Sequence, residues 1–242
     1  PQGIVFIIML IFILVPIVLP LEISEQTRQF YDEINDIPEG SFVIIECVHG
    51  AHEYPELKPG YIALAKHLFM KGVKFGFISS LGPLSEEAMK SALKAFPDKE
   101  YGVDWVNLGL LPGEEIGLAT FARDVKGTIP VDFRGNNVED LPIMERINSI
   151  EDIYSVIAIY NYDVGRLVRQ IWAPYGKDVP SIFGAGCVPV NICYWPESVP
   201  GFLYGVKGIA EYELLLKRPG LSTMQMSILS MGTLTYVLLL IV

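Results

Sequence analysis

The sequence predicts a doubly wound α/β domain with a mostly parallel sheet, held between two apolar terminal segments. Short β-branched runs alternate with helical patterns through the middle of the chain, which is typical of βαβ units with right-handed crossovers. In addition, 51% of the 242 residues are hydrophobic and the mean hydropathy is +0.38, which exceeds ordinary globular composition. The excess lies at the two ends, so about 195 residues remain for one domain with its own core.

The N-terminal segment, residues 4–21, is an apolar run. Its length is close to the roughly 20 residues that span a bilayer core. It has neither a basic flank nor a small-residue cleavage site, so we predict a retained transmembrane helix over residues 1–21 rather than a signal peptide. Residues 22–40 place Ile23, Phe30, Tyr31 and Ile34 on one helical face. This pattern predicts a juxtamembrane helical stalk, whose apolar stripe could also pack against a second copy.

The middle region, residues 41–218, predicts a Rossmann-like sheet of five strands that alternate with helices. Its first strand, Phe42–Val48, is an apolar β-branched run of the kind that is buried on both faces of a parallel sheet. In either doubly wound strand order this strand lies beside the switch point where ligands bind. The other strands are predicted at Val73–Ser80, Asp104–Leu111, Tyr154–Tyr160 and Val179–Gly184, and the helices near 60–70, 85–96, 112–125, 164–172 and 206–216. The irregular residues 126–153 predict either a functional loop or an insertion that covers one edge.

A second apolar run follows Lys217 and Arg218, and we predict a transmembrane helix over residues 219–242. Within it, Thr223, Ser227 and Ser230 fall at i, i+4 and i+7, a small polar face that lets membrane helices approach and form hydrogen bonds. Alternatively, residues 222–226 lie at the level of the lipid headgroups. The middle region is too long for the positive-inside rule, but the two basic residues beside the second segment favour the cytoplasmic side.

Charge and cysteine content narrow the function classes. The net charge of −10 belongs to the middle region and repels phosphate backbones, so a nucleic acid partner is disfavoured. The three cysteines, Cys47, Cys187 and Cys193, form no C-x-x-C pair and no disulfide framework. Cys187 and Cys193 could still pair in an oxidising compartment.

The sharpest candidate site follows the first strand and consists of Glu46, Cys47, His49, His52 and Glu53. His49, His52 and Glu53 offer three donors to zinc or another divalent ion, although the imidazoles could equally cap helix ends or face water. Cys47 and His49 share a face if the strand persists, which suggests a thiol nucleophile. The alternative is a buried cysteine that acts as a small apolar residue.

Further candidate ligand contacts follow later strands at the same sheet edge. Asn161 and Asp163 follow the fourth predicted strand, and Gly184 and Gly186 follow the fifth. No phosphate-binding glycine fingerprint follows the first strand and no G-x-S-x-G motif is present, which disfavours a nucleotide cofactor and a serine hydrolase. We therefore expect no cofactor, with a divalent metal as the alternative, and we assign no catalytic residue.

Three segments carry a resemblance to known sequences: residues 101–109 (YGVDWVNLG), 141–144 (LPIM) and 208–213 (GIAEYE). They are similar to segments of an uncharacterised group of prokaryotic proteins with a Rossmann-like domain between two transmembrane helices. The resemblance covers most of the middle region and implies the same architecture here. It implies no activity.

Two functions remain open. The favoured one is a structural or interaction subunit of a larger membrane assembly, in contact with lipid and with further copies or other membrane subunits, because two apolar segments flank the domain and no strong catalytic motif is present. The alternative is a membrane-tethered enzyme, or a small-molecule or metal-binding module, with its site at the C-terminal ends of the strands.

Overall fold

A single parallel sheet forms the centre of the domain. The computed structural model describes residues 3–4, 6–7, 22–81, 86–162, 164–186, 197–226 and 229. Within these residues the strands are β1 (Phe42–Val48), β2 (Lys74–Ser79), β3 (Trp105–Leu110), β4 (Ser155–Tyr160), β5 (Ser181–Phe183) and β6 (Phe202–Tyr204). Their spatial order is β3-β2-β1-β4-β5-β6, and every neighbouring pair is parallel. The domain is therefore Rossmann-like, and its strand order reverses between β1 and β4.

The prediction of five strands was wrong, because the sheet has six. The strand that the sequence did not predict is β6, which has three residues. Just before it, the Gly201 carbonyl accepts a hydrogen bond from the Ser181 N–H of β5. So short a run carries too little periodicity to be recognised beside the proline and glycine residues that precede it.

Helices cover both faces of the sheet. They are α1 (Glu25–Asn35), α2 (Tyr54–Met70), α3 (Glu87–Leu93), α4 (Glu114–Arg123), α5 (Val125–Thr128), α6 and α7 (Gly205–Leu215), where α6 is the continuous run of Gly165–Leu167, the π-helical turn Val168–Trp172 and Ala173–Tyr175. Buried side chains of α1, α2, α3 and α7 form one apolar core with the sheet, and those of α4, α5 and α6 form the other. β1 is buried along its whole length, as its apolar run predicted.

The irregular segment between α5 and β4 covers one edge of the sheet. It contains three short 3-10 turns, Val138–Asp140, Pro142–Met144 and Ile150–Asp152. The Phe133 N–H donates to the carbonyl of Asn107 in the edge strand β3 at 2.9 Å. The buried carboxylate of Asp132 accepts hydrogen bonds from the Tyr101 hydroxyl at 2.7 Å and from two backbone N–H groups. Of the two alternatives raised by the sequence, the edge-covering insertion matches this geometry.

α1 belongs to the domain and does not stand apart as a stalk. Phe30 and Ile34 are fully buried, and the Phe30 ring packs edge-on against Tyr212 of α7 with 5.2 Å between ring centroids. Gly201 lies so close to α1 that an added Cβ would be 2.1 Å from the Phe30 nitrogen. The apolar stripe that we expected on a stalk is thus used to cover β6 and α7.

Most of the two predicted membrane segments, residues 1–21 and 219–242, lies outside the described residues, and so do Ser227 and Ser230. Residues 221–226 are helical. In the described part of the chain, no helix is both long enough and apolar enough to cross a membrane.

Candidate functional site

A buried carboxylate lies at the switch point between β1 and β4. Glu46, the third-last residue of β1, is fully buried and accepts hydrogen bonds from the hydroxyls of Ser80 and Tyr160. The guanidinium of Arg166, in α6, lies 3.3 Å from the same carboxylate and donates through Nε to the Tyr160 hydroxyl at 3.2 Å. Burial raises the pKa of Glu46, and Arg166 opposes that rise. These polar groups are partners of one another and connect β1 with β4 and α6, while Arg166 Nη2 is buried and forms no hydrogen bond with the described residues.

Four of the predicted contact residues meet at the same edge of the sheet. The Asn161 amide donates to the Glu53 carboxylate at 2.9 Å, and the Gly50 N–H donates to the other carboxylate oxygen. A Cβ on Gly184 would be 2.4 Å from Asn161 Oδ1, and one on Gly186 would be 3.4 Å away, so the loop after β5 lies against Asn161. Asn161 Oδ1 is buried and accepts no hydrogen bond from the described residues.

The pKa of Glu53 reflects this environment. Burial alone would raise it, but the hydrogen bonds from Asn161 and Gly50 and the neighbouring His52 hold it below its ordinary value. Glu53 is therefore an ionised acceptor that joins the loop after β1 to the end of β4.

The two histidines of the predicted metal site have different environments. His49 Nε2 lies 2.6 Å from the Tyr61 hydroxyl and Nδ1 lies 3.1 Å from the Gly50 carbonyl, and burial lowers the pKa of His49. A neutral ring that donates to Gly50 and accepts from Tyr61 uses both of its nitrogens. His52 is 82% exposed, with Nε2 3.1 Å from Glu53. Among the residues that the structure describes, no three His, Cys, Asp or Glu side chains are grouped to hold a metal ion.

Cys47 lacks the features of a nucleophile. Its side chain is 1% exposed and its sulfur lies 3.8 Å from the Ile45 carbonyl oxygen. Burial raises the pKa of the Cys47 thiol, whereas a nucleophilic thiol requires a lowered pKa and access to the substrate. The geometry matches the alternative of a small apolar core residue. Cys187, Cys193 and the candidate Asp163 lie outside the described residues.

Sequence reasoning missed the partners of Glu46 at the switch point. The sequence places Tyr160 and Ser80 at the ends of predicted strands and Arg166 in a predicted helix, but the pattern does not connect any of them to Glu46. A polar residue at the end of each of three strands was the available signal, since carboxyl ends of parallel strands share one edge of a sheet.

Two further buried carboxylates, Glu211 and Glu213, lie on α7, and each contacts one end of the domain. Glu211 is fully buried and accepts hydrogen bonds from the Ser24 N–H at 3.0 Å, the Ser24 hydroxyl at 2.6 Å and the Thr27 hydroxyl at 2.8 Å. Burial alone would raise the pKa of Glu211, but the ammonium of Lys207 and the Ser24 and Thr27 donors lower it. These hydrogen bonds hold the chain at the start of α1 against α7.

Glu213 holds the chain that follows α7 in the same way. Its buried carboxylate accepts from the N–H groups of Gly220, Ser222 and Thr223 at 2.9, 3.2 and 2.8 Å, and from the Thr223 hydroxyl at 2.6 Å. The carboxylate thus supplies acceptors to the first N–H groups of the following helix, which would otherwise lack partners. Thr223, which the sequence predicts on a membrane-helix face, is buried here and donates its hydroxyl to Glu213.

Neither a protein family, nor a curated protein, nor a solved structure matches this chain significantly. The parallel sheet in the order β3-β2-β1-β4-β5-β6, with helices on both faces, defines a Rossmann-like α/β protein. The resemblance of residues 101–109, 141–144 and 208–213 to membrane-flanked prokaryotic proteins stays a prediction.

Proposed function

We propose that the chain is a membrane-anchored α/β protein that serves as a structural or interaction subunit of a larger membrane assembly. In this proposal the apolar segments within residues 1–21 and 219–242 each cross the bilayer, and the domain between them lies on the cytoplasmic side, next to the basic residues Lys217 and Arg218.

The observation that carries the proposal is the attachment of both domain ends to one helix. Glu211 binds Ser24 and Thr27, close after the first apolar segment, and Glu213 binds residues 220–223, at the start of the second. The chain that follows the first apolar segment and the chain that begins the second therefore both contact α7. A freely tethered domain would need no such buried ties at its ends.

The two carboxylates that hold the domain ends lie on opposite sides of one helix. Residues two apart on an α-helix are separated by about 200° around the axis and about 3 Å along it. Glu211 and Glu213 therefore hold the two junctions on opposite sides of α7 at nearly the same level. The helix itself is about 10 Å across, and packed helices have axes about 8–10 Å apart. Two spans that each packed against one side of α7 would have axes roughly 16–20 Å apart, about twice the distance between two packed helices.

The assignment as a subunit is supported by the state of the polar groups in the domain. Glu46 is closed in by Ser80, Tyr160 and Arg166, and the thiol of Cys47 is buried and protonated. These side chains hold the fold together and present no activated group to a substrate. An interaction role uses the surface and the membrane segments instead.

The mass of the particle extracted in mild detergent tests the proposal. We expect a particle of several chains, or of this chain with other membrane subunits, by light scattering with the detergent contribution subtracted. A single chain of 26.9 kDa that elutes from membranes without detergent would contradict it.

A second candidate function is a small-molecule-binding module at the switch point. It is favoured by Asn161 Oδ1, which is buried at the sheet edge and has no donor among the described residues. A ligand with an N–H or O–H group would supply that donor. Native mass spectrometry of the purified chain tests this candidate: a bound small molecule that is lost in Asn161→Ala supports it, and an empty chain contradicts it. Elemental analysis of the same sample tests the predicted metal, which should be lost when His49 and His52 are replaced by Ala.

A further inference from the structure

A cleft of about 270 Å³ lies where the second apolar segment leaves the domain. It is bordered by α2, by α3 and by the chain from Leu216 to Met224. Its wall is mostly apolar and includes Pro59, Ile62, Ala63, Leu216, Leu221 and Met224. The cleft therefore has a hydrophobic floor immediately beside the point where the chain would enter the membrane.

Two cations line the same cleft. Lys66 of α2 is half-buried, and Arg218 is exposed, with its guanidinium 5.4 Å from the centre of the Phe96 ring. Neither forms a salt bridge with a carboxylate in the described part of the chain. Glu213, the one acid among the described residues of the wall, accepts hydrogen bonds from the N–H groups of Gly220, Ser222 and Thr223 and from the Thr223 hydroxyl. Lys66, Arg218 and the Glu213 carboxylate together give the described wall of the cleft a net charge of +1, although the chain carries a net charge of −10.

The exposed apolar side chains continue from the cleft along the following helix. Leu221 is 45% exposed and Met224 is 51% exposed, and they lie one helical turn apart. A molecule with an anionic head and an apolar tail matches both features, because its head would contact the two cations while its tail follows Leu221 and Met224. An inorganic anion would leave the apolar part unused.

We propose that this cleft binds the headgroup of an anionic phospholipid from the leaflet in which the second apolar segment begins. The inference rests on the proposed membrane anchoring, since only then does the cleft lie at the headgroup level. Cations close to an anionic leaflet contribute roughly a fivefold increase in affinity each, so the pair should contribute about thirtyfold.

The test uses the full chain in mild detergent and native mass spectrometry with added phosphatidylglycerol or phosphatidylcholine. We expect one phosphatidylglycerol per chain, with phosphatidylcholine bound at least tenfold more weakly. The double variant Lys66→Gln with Arg218→Gln should lose about thirtyfold in phosphatidylglycerol affinity. The matched control, Arg123→Gln with Arg146→Gln, removes two exposed arginines elsewhere and should bind as the wild type does.

Several results would overturn the inference. These are equal affinity for the two lipids, an unchanged affinity in the Lys66 and Arg218 variant, or full displacement of the lipid by millimolar inorganic phosphate. Absence of bound lipid in the wild type would also overturn it and would fit occupation of the cleft by the chain's own apolar segment. If the double variant unfolds, Arg218→Gln alone, at an exposed position, should still lose about fivefold.

Membrane fractionation of the same cells separates this inference from the proposed function. A chain that stays with the membranes but shows no lipid preference refutes the lipid site alone. A chain that is released from the membranes refutes the anchoring and, with it, the premise of the lipid site.

Discussion

Removal of the Glu213 carboxylate should release the second apolar segment from the domain. Glu213→Ala deletes the acceptor of four hydrogen bonds at distances of 2.6 to 3.2 Å, three of them from backbone N–H groups at the start of a helix. Hydrogen bonds to a charged group each contribute about 1.5–3 kcal/mol, but these four share one carboxylate and are not additive. Water can also reach the freed N–H groups once the segment moves. We therefore expect a loss of about 4 kcal/mol for Glu213→Ala and about half of that for Glu213→Gln, which keeps one acceptor oxygen.

Hydrogen exchange measured by mass spectrometry is the appropriate assay, because it reports the opening of this junction separately from global unfolding. A loss of about 4 kcal/mol corresponds to roughly thousandfold faster exchange at the amides of Gly220, Ser222 and Thr223. The chain would be studied in mild detergent, with circular dichroism to establish that the domain stays folded.

Glu211→Ala provides the matched control, because it removes a buried carboxylate from the same helix but has partners at Ser24 and Thr27. It should accelerate exchange near the N-terminal junction and leave residues 220–223 unchanged. If Glu213→Ala leaves the exchange of residues 220–223 within threefold of the wild type, the carboxylate does not hold the junction and the reasoning is refuted.

Three further predictions concern the domain itself. Burial lowers the pKa of His67 to about 4 from 6.5, so the unfolded chain binds the proton more readily and stability should fall by up to about 3 kcal/mol as the pH drops from 6.5 to 4. Urea titrations across this range should show a smaller drop in His67→Gln than in the wild type, because burial also lowers the pKa of His49, which remains in the variant. Gly201→Ala should cost about 3 kcal/mol or more, because its Cβ would be 2.1 Å from the nitrogen of Phe30. Gly135→Ala is the control: its added Cβ would contact nothing, and only the φ of +84° is unfavourable, so it should cost about 1 kcal/mol in the same assay. Equal losses for Gly201→Ala and Gly135→Ala would contradict the packing of α1. Glu46→Ala should cost about 3–5 kcal/mol in urea unfolding by leaving a buried guanidinium without its counter-ion, and a loss below 1 kcal/mol would contradict the ion pair.

Much of the fold could be predicted because its signals are local. The continuous apolar run Phe42–Val48 gave β1 with its observed bounds, and the alternation of strands with helices gave the parallel sheet. β6 could not be found, because three residues at a sheet edge owe their conformation to pairing with β5 and carry no period of their own. The packing of α1 on α7 could not be predicted either, because an amphipathic pattern shows which face of a helix is apolar but not which surface that face packs against.

The candidate site could be predicted only in part. Asn161, Gly184 and Gly186 do meet beside Glu53, because loops after parallel strands share one edge of the sheet. The same rule does not predict that the Tyr160 hydroxyl, 114 residues away in sequence, binds Glu46. Which atoms of neighbouring strands meet depends on strand register, and that is set by the whole core.

The most direct test of the central claim, that both apolar segments anchor this domain in a membrane, is extraction of membranes from cells that express the full chain with alkaline carbonate. This treatment releases proteins that are attached only to the membrane surface. We predict that the chain remains in the membrane pellet and is dissolved only by detergent. Quantitative release of the chain into the carbonate supernatant would contradict the claim.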